Sequence, residues 1–224
     1  MSSIYMRALE HRAEKYDAGM KTLTRGRLTI IKQYISSNLI HPGDQLLDIG
    51  AGTGTFAIMA ANAGATVTGI DSSEKMLTVA HSNLAADGLT EKVTLIHMPI
   101  VELDKQFPDQ SFNKITAILV FSELYHQEQE FCLDQVLRLL EEDGEFILVD
   151  EVRPRSLWKR IAFYIVRIPL SIATYLRAQL TTRPLTRMVD MVEEHGFEVI
   201  EERLYLLDTL RLLRLRRAET SGGA

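Results

Sequence analysis

Residues 45–54 read QLLDIGAGTG, a short apolar run that breaks into a turn with glycine at every second position. The pattern predicts a buried strand, a tight turn and a helix from Thr55, because glycine accepts backbone angles that other residues avoid. A turn without side chains lets a ligand reach backbone N–H groups at a helix N-terminus. Asp71, at the end of the next predicted strand, offers two acceptor oxygens for ribose hydroxyls. The sequence therefore predicts a nucleoside site.

The chain around this turn alternates short apolar runs with helical segments. Strands are predicted at 45–49, 66–70, 93–97, 115–120, 145–149, 197–204 and 209–216. Helices are predicted up to about residue 37 and at 55–63, 73–86, 128–141 and 184–195. This alternation predicts an α/β fold, a Rossmann-like three-layer sandwich with a mostly parallel seven-stranded sheet. The last two strands are expected to form a hairpin at the sheet edge.

A length of 224 residues predicts a single domain with elaborations. Its expected parts are an N-terminal helical cap (1–43), a cofactor-binding core (44–151), a helical lid insertion (152–187) and a closing helix with strands (188–217). A composition with 46% hydrophobic and 25% charged residues excludes a disordered chain. One cysteine cannot form an internal disulfide, and the N-terminus lacks a signal-peptide pattern, so we expect a cytoplasmic protein.

The net charge of −5 is unevenly distributed. Residues 152–189 contain eight Arg or Lys and no Asp or Glu, so the remainder carries −13. This block predicts a local partner surface and no nucleic-acid partner, because the whole chain repels a polyanion. Within it, the apolar run 157–180 is interrupted by Arg167 and Arg177 and is unsuited to a bilayer span, which needs about 20 apolar residues. We expect a hydrophobic lid there, with peripheral membrane contact through 157–180 as an alternative.

The glycine spacing separates two classes of nucleotide site. A dinucleotide site has G-x-G-x-x-G, whereas Thr55 occupies the place of the third glycine. Asp48 at the start of the turn would repel a pyrophosphate and attract a sulfonium or ammonium. The sign of this charge favours S-adenosylmethionine over a nicotinamide cofactor.

Over residues 44–144 these features resemble the class I S-adenosylmethionine-dependent methyltransferases. The resemblance implies glycines under the methionine part of the cofactor, Asp71 on the ribose, and Ser72 with Met76 beside the adenine. Pro99 stands where many members have an acidic residue, which implies backbone recognition of the adenine. The implied cofactor site comprises Asp48, Gly50, Ala51, Gly52, Gly54, Asp71, Ser72, Met76, Met98, Pro99 and Ile100.

A narrower resemblance rests on YMRALE (5–10), YDAGM (16–20), FSEL (121–124), DEVRPR (150–155) and TTRP (181–184). These motifs are similar to those of the corrinoid protein-associated methyltransferases. The resemblance implies transfer to a small molecule or to a group on a corrinoid protein. A non-catalytic partner of a corrinoid protein is the first alternative, and a nicotinamide-dependent oxidoreductase is the second.

Candidate acceptor residues follow the fourth and fifth strands, because substrates of open α/β sheets bind beyond the carboxyl ends of the strands. Surface capping of a helix is the alternative role for Glu123 and His126. The candidates for acceptor contact or general base are Glu123, Tyr125, His126, Asp150 and Glu151.

N-terminal side chains are expected to cover the cofactor or to pack at the N-terminus. These side chains are Tyr5, Tyr16 and Asp17. The six histidines are widely spaced, so no metal is predicted.

Overall fold

The computed structural model of the chain describes residues 13–154, Trp158 and residues 184–219. The predicted cap is therefore described from Ala13 onward. Tyr5 lies outside the described residues, as does most of the predicted lid. So does the predicted membrane contact at 157–180, apart from Trp158.

Seven complete α-helices and seven strands lie within the described part. The helices are α1 (Ala13–Leu23), α2 (Arg27–Asn38), α3 (Thr55–Asn62), α4 (Glu74–Ala86), α5 (Leu103–Gln106), α6 (His126–Leu139) and α7 (Met188–Glu194), with a 3-10 turn at Ile100–Glu102. The strands are β1 (Gln45–Ile49), β2 (Thr66–Asp71), β3 (Val93–His97), β4 (Phe112–Ile118), β5 (Leu140–Glu151), β6 (Phe197–Tyr205) and β7 (Leu210–Arg217). Every predicted strand is present, although β4 and β5 begin earlier than predicted.

The seven strands form one sheet in the order β3-β2-β1-β4-β5-β7-β6. Strands β1 to β5 are parallel, and β7 runs antiparallel to both β5 and β6. The predicted hairpin is thus present, with β7 inside the sheet and β6 at its edge. From β1, the strands β2 and β3 are added on one side of the sheet, whereas β4 and β5 are added on the other. This reversal of strand order places a ligand crevice at the carboxyl ends of β1 and β4.

Helices cover both faces of the sheet. One buried apolar cluster includes residues of α5, α6 and α7, and the other includes residues of α2, α3 and α4. Neighbouring residues of β1 point into opposite clusters, with Leu46 in one and Leu47 in the other. From Leu46 onward β1 is buried on both faces, and its adjacent leucines fit a central parallel strand. The predicted Rossmann-like three-layer fold is confirmed.

Candidate functional site

The glycine turn between β1 and α3 is built so that side chains cannot fill it. Gly50, Gly52 and Gly54 have φ of 74°, 56° and 76°, in the left-handed region that favours glycine. A Cβ on Gly50 would lie 2.4 Å from Cγ2 of Val120, which follows β4. The turn therefore forms a backbone floor between the carboxyl ends of β1 and β4.

Asp71 ends β2 and is fixed by two backbone amides. The Gly52 amide donates to Oδ2 at 2.7 Å, and the Ser73 amide donates to Oδ1 at 2.8 Å. Each oxygen keeps a second lone pair that can accept from a ribose hydroxyl. Burial raises the pKa of Asp71, although the two amides oppose this. The residues present thus fit the ribose role that the resemblance implies.

The predicted adenine side of the site lies at the start of α4. The Ser73 hydroxyl accepts from the Met76 amide at 3.4 Å and caps this helix. Met76 is buried, and its Cε lies 3.6 Å from the place of a Cβ on Gly52, so its side chain lies over the glycine turn. Ser72 is exposed, and its carbonyl oxygen lies 3.0 Å from Nε2 of His97.

The turn after β3 carries the other predicted adenine contacts. The Met98 amide donates to the carbonyl of Asp71 at 3.0 Å, so this N–H is already used within the fold. Pro99 is exposed and has no N–H to offer, and it precedes the 3-10 turn that begins at Ile100. Backbone recognition of adenine from this turn therefore depends on Ile100 and stays a prediction.

Asp48 lies beneath the glycine turn. It is 2% exposed, and its Oδ1 accepts from the Thr116 hydroxyl at 2.8 Å. Burial raises the pKa of Asp48 to about 6, opposed by Thr116 and by the ammonium of Lys32. Lys32 is therefore a cationic neighbour of Asp48 within this chain, and a contact between Asp48 and the cofactor stays a prediction. Lys32 is not among the residues predicted from the sequence, although it lies four residues after Leu28 and three before Ile35, on the buried stripe of α2.

Helix α1 lies against the glycine turn. The Thr53 hydroxyl donates to Oδ2 of Asp17 at 2.8 Å, which ties the helix to the turn. Burial is the largest cause that raises the pKa of Tyr16. The charges of four carboxylates, which include Glu123 and Asp71, raise it further. Tyr16 and Asp17 therefore lie beside the glycine turn, and the covering role stays a prediction.

The turn after β4 forms the opposite wall. Leu119 has φ of 61°, which is strained for a residue with a Cβ, and its amide donates to the Val149 carbonyl at 2.7 Å. This bend turns the chain out of the sheet and brings Val120 against Gly50. The Glu123 amide then donates to the Val120 carbonyl at 3.0 Å. Glu123 is thereby placed beside the crevice.

Glu123 has the most perturbed carboxyl group of this wall. Burial raises its pKa to about 8, with further contributions from the negative charges of Asp150, Asp71 and Glu151. Within the described ranges, no donor is hydrogen-bonded to its carboxylate. The group can therefore exchange a proton near neutral pH.

Asp150 is placed differently from the predicted acceptor contact. Its side chain is 0% exposed, with Oδ2 accepting from the Ser122 amide at 3.0 Å and Oδ1 from the Glu151 amide at 2.7 Å. Burial raises the pKa of Asp150 to about 6. A carboxylate closed to solvent and bonded to this backbone does not fit the predicted acceptor contact, and its hydrogen bond to the Ser122 amide fixes the turn that carries Glu123. Glu151 is partly buried beside it.

The predicted residues at the start of α6 lie at the surface. The His126 side chain is 78% exposed, and its Nε2 lies 3.7 Å from Oε1 of Glu130. Tyr125 is exposed, and its amide donates to Oε2 of Glu128 at 2.8 Å. Glu128 therefore caps α6, whereas capping was the alternative role considered for Glu123 and His126.

Two further observations concern the described residues alone. Across 13–154, Trp158 and 184–219, no group of three His, Cys, Asp or Glu side chains is arranged to hold a metal ion. In the same part of the chain, no helix has the length and apolarity needed to cross a bilayer. The predicted lack of a metal and the predicted cytoplasmic location stay predictions.

Comparison with known proteins gives an independent line of support. Residues 40–174, more than half of the chain, match the model of a family described as a methyltransferase domain. The chain is 27% identical over 202 residues to the demethylmenaquinone methyltransferase of Symbiobacterium thermophilum, covering 86% of this chain and 79% of that protein. It is also 27% identical over 217 residues to the demethylmenaquinone methyltransferase of Thermotoga maritima, covering 89% and 90%.

A solved structure shares the fold. The magnesium protoporphyrin IX methyltransferase of Synechocystis, crystallised with bound SAH (S-adenosylhomocysteine), superimposes with a TM-score of 0.64 at 18% identity. The match covers 86% of this chain and 82% of that one. The family match favours a methyltransferase over the oxidoreductase and the non-catalytic alternatives. By its family match, its sheet order and its glycine turn, the chain belongs to the methyltransferase-domain family and is a class I S-adenosylmethionine-dependent methyltransferase.

Proposed function

We propose that the chain methylates a ring carbon of a quinol-type aromatic acceptor. The observation that carries this proposal is the Glu123 carboxyl group, which has a pKa of about 8 and no hydrogen-bond donor among the described residues. Support also comes from the relatives named as demethylmenaquinone methyltransferases, two of which align over most of the chain.

A quinol needs a base because its ring carbon is a weak nucleophile until a ring hydroxyl loses its proton. When bound, S-adenosylmethionine supplies an electrophilic methyl group on a positively charged sulfur. The Glu123 carboxylate accepts the hydroxyl proton, and the charge on the oxygen makes the neighbouring ring carbon nucleophilic. As the carbon–carbon bond forms, the carbon–sulfur bond breaks and its electron pair stays on sulfur. Loss of the ring hydrogen as a proton restores the aromatic ring, and the ring oxygen takes back the proton held by Glu123. One proton is therefore released overall.

The strength of this base suits the acceptor. A free phenol has a pKa near 10, about two units above that of Glu123, whereas an ordinary glutamate near 4.3 would be too weak a base. Asp150 holds the turn that carries Glu123, and Tyr16 lies on the facing side of the cleft. The negative charge of Asp71 also favours a cationic sulfonium over a neutral thioether.

The acceptor is tested by product identification. The full chain is incubated with methyl-labelled S-adenosylmethionine and a reduced short-chain demethylmenaquinone, and the products are analysed by mass spectrometry. We expect a label on a ring carbon. A product methylated on oxygen, or no labelled quinol from protein that binds S-adenosylmethionine, would overturn the quinol proposal.

A further inference from the structure

The turn between β6 and β7 holds a leucine out in solvent. Leu206, Leu207 and Asp208 have φ of 51°, 58° and 64°, three successive residues in the left-handed region that side chains disfavour. The turn is fixed, because the amide and the hydroxyl of Thr209 both donate to the Leu206 carbonyl, at 3.2 Å and 2.8 Å. Leu207 at its centre is nevertheless 57% exposed. Packing within the described residues does not explain why a strained turn presents this side chain to solvent.

Helix α2 carries a second exposed apolar side chain on the side that faces β6. The Tyr34 hydroxyl donates to Oε1 of Glu201 at 2.7 Å, and the Arg203 guanidinium lies 3.9 Å from the centre of the Tyr34 ring. Ile30 lies one helical turn before Tyr34 on the same side of α2, and it is 44% exposed. Ile30 therefore continues the line of contact between α2 and β6 without a partner of its own in β6.

Helix α2 and strand β6 reach the same edge of the sheet. Helix α2 begins near the carboxyl edge, because Lys32 donates to the Thr55 hydroxyl at the start of α3. Strand β6 ends at the carboxyl edge, because Tyr205 is joined through Leu210 of β7 to the last residue of β5. Both elements thus extend to the edge at which the cleft opens, and their exposed apolar side chains lie at one corner of the molecule.

Exposed basic side chains lie at the same corner. Residues 18–43 contain four Lys or Arg and no Asp or Glu, in a chain whose net charge is −5. Lys21, Arg25 and Arg27 of this stretch lie in or beside the turn between α1 and α2, and all three are exposed. Within the described ranges, none of the three forms an ion pair within 4.0 Å. Arg27 also shares the side of α2 with Ile30, three residues later. The corner is therefore apolar at its tips and positive around them.

An anionic lipid surface fits both features. Exposed aliphatic side chains can enter the apolar boundary of a bilayer while nearby cations meet its phosphate head groups. A second copy of the chain fits less well, because a two-fold contact through this corner would bring like charges together. We infer that the corner docks on an anionic lipid surface. Its residues are Lys21, Arg25, Arg27, Ile30 and Leu207.

The experiment is flotation of the full chain with lipid vesicles, at about 0.15 M salt and without a methyl acceptor. The vesicles consist of phosphatidylcholine alone or of an equal mixture with phosphatidylglycerol. Wild type should bind the mixed vesicles at least about 10-fold more strongly than the neutral ones. Arg25→Gln/Arg27→Gln should weaken this binding about 25-fold, since each basic residue near such a surface contributes about fivefold. Leu207→Gln should weaken it about 10-fold.

Matched controls remove the same kinds of group elsewhere. Lys92→Gln/Lys105→Gln removes two charges from exposed lysines before β3, at the opposite edge of the sheet, and in α5, on the other face. Ile200→Gln removes a 38% exposed isoleucine from the middle of β6. Both controls should stay within about twofold of wild type. Every variant should bind S-adenosylhomocysteine like wild type, which shows that it is folded and separates this test from that of the quinol proposal.

A labelled variant reports insertion directly, and it serves if Leu207→Gln does not fold. Leu207→Cys is labelled with an environment-sensitive fluorophore, and Cys132 is 0% exposed and escapes the label. The emission should shift to the blue on the mixed vesicles and not on phosphatidylcholine. The same label on Ile200→Cys should not shift on either.

Three results overturn the inference. The first is a wild type that does not bind the mixed vesicles. The second is binding that the corner variants retain, or that they and the controls lose equally, because the contact then lies elsewhere or follows net charge. The third is a concentration-dependent dimer that Leu207→Gln abolishes, found without any emission shift on vesicles, because the corner would then be an interface between two copies of the chain.

Discussion

At the scale of single residues, carboxyl groups in one cleft differ because their hydrogen bonds differ. Asp150 accepts from two backbone amides and is closed to solvent, whereas Glu123 accepts from no described donor. Burial is the largest cause that raises the pKa of both. Hydrogen bonds from the Ser122 side chain and from two backbone amides hold the pKa of Asp150 near 6, whereas like charges add to burial and raise that of Glu123 to about 8. Both groups lie at the carboxyl ends of strands, so this location alone does not show which of them can act as the base.

The glycine turn gives a prediction at the same scale. In Gly50→Ala the new Cβ would lie 2.4 Å from Val120, in a backbone conformation that disfavours a side chain. We expect a loss of about 2 to 4 kcal/mol in unfolding free energy and a loss of S-adenosylhomocysteine binding. Urea unfolding and calorimetric titration measure the two effects.

Gly88→Ala is the matched control for this substitution. Gly88 has φ of 67°, close to that of Gly50, but a Cβ there would meet nothing within 4 Å. It should cost only the backbone strain, about 1 kcal/mol, and leave ligand binding unchanged. If the two variants behave alike, close approach to Val120 does not explain the requirement for glycine at position 50.

The glycine turn and the place of Asp71 beside it could be predicted because those residues lie near one another in sequence. Gly50, Gly54 and Asp71 are recognisable from spacing alone. The environment of Lys32 could not be read in this way, because Thr55 is 23 positions further along. The same holds for Asp150, whose partner Ser122 belongs to another strand end.

At the scale of secondary-structure elements, α1 depends on the glycine turn through the bond between Thr53 and Asp17. Thr53→Val removes the hydroxyl and keeps the side-chain shape, whereas Thr53→Ser keeps the hydroxyl. We expect amide hydrogen exchange of residues 13–23 to rise about fivefold or more in the valine variant, and to stay near wild type in the serine variant. Exchange in β1 should not change.

Hydrogen–deuterium exchange with mass spectrometry follows each segment separately. Unchanged exchange of α1 in Thr53→Val would mean that other contacts hold this helix. A rise shared by α1 and the whole sheet would instead indicate global destabilisation, and would also contradict a local role for the bond.

Element boundaries show where local pattern fails. Strand β4 begins at Phe112, three residues before the predicted start, because the polar residues Asn113 and Lys114 hid it. Lys114 can be buried there because its Nζ donates to Oε2 of Glu145 in β5 at 2.6 Å. Such an ion pair between distant residues has no signature in a local window of sequence.

At the scale of the whole molecule, the buried acids make stability depend on pH. A carboxyl group whose pKa is raised by folding binds its proton more tightly in the native state, so stability falls as pH rises from the unfolded pKa to the folded one. Glu123 has a folded pKa of about 8 against an ordinary value of 4.5. Its ionisation therefore destabilises the fold progressively between these two pH values.

Glu123→Gln should accordingly be more stable than wild type at pH 8.5, by roughly 1 to 3 kcal/mol, with the difference vanishing near pH 4. Glu145→Gln should change the unfolding free energy in the opposite direction, because hydrogen bonds from Arg214 and Lys114 outweigh burial and lower the pKa of Glu145. That variant should be less stable than wild type at neutral pH and should approach it as pH falls below about 4.5. Urea unfolding between about pH 4 and pH 8.5 tests both variants. A difference in unfolding free energy between Glu123→Gln and wild type that does not change with pH would contradict the raised pKa.

The overall architecture could be predicted because alternating strands and helices leave few topologies for a parallel sheet. The basic segment predicted as a lid remains a prediction, but the positions of its ends are known. Val152 and Leu185 form a bridge beside the end of β5, so the segment leaves and rejoins the fold at the carboxyl edge of the sheet, beside the cleft. The charge pattern alone could not locate these ends.

The pH dependence of kcat/KM for the quinol tests whether Glu123 acts as the base. We expect the wild-type value to rise with pH and to level off above about pH 8, because the free enzyme's base must be ionised. Glu123→Gln should lower the plateau by about 100-fold or more and lose this rise, while His126→Gln, which removes an exposed side chain near the same turn, keeps both. A Glu123→Gln enzyme with the wild-type plateau and the wild-type rise would contradict the claim.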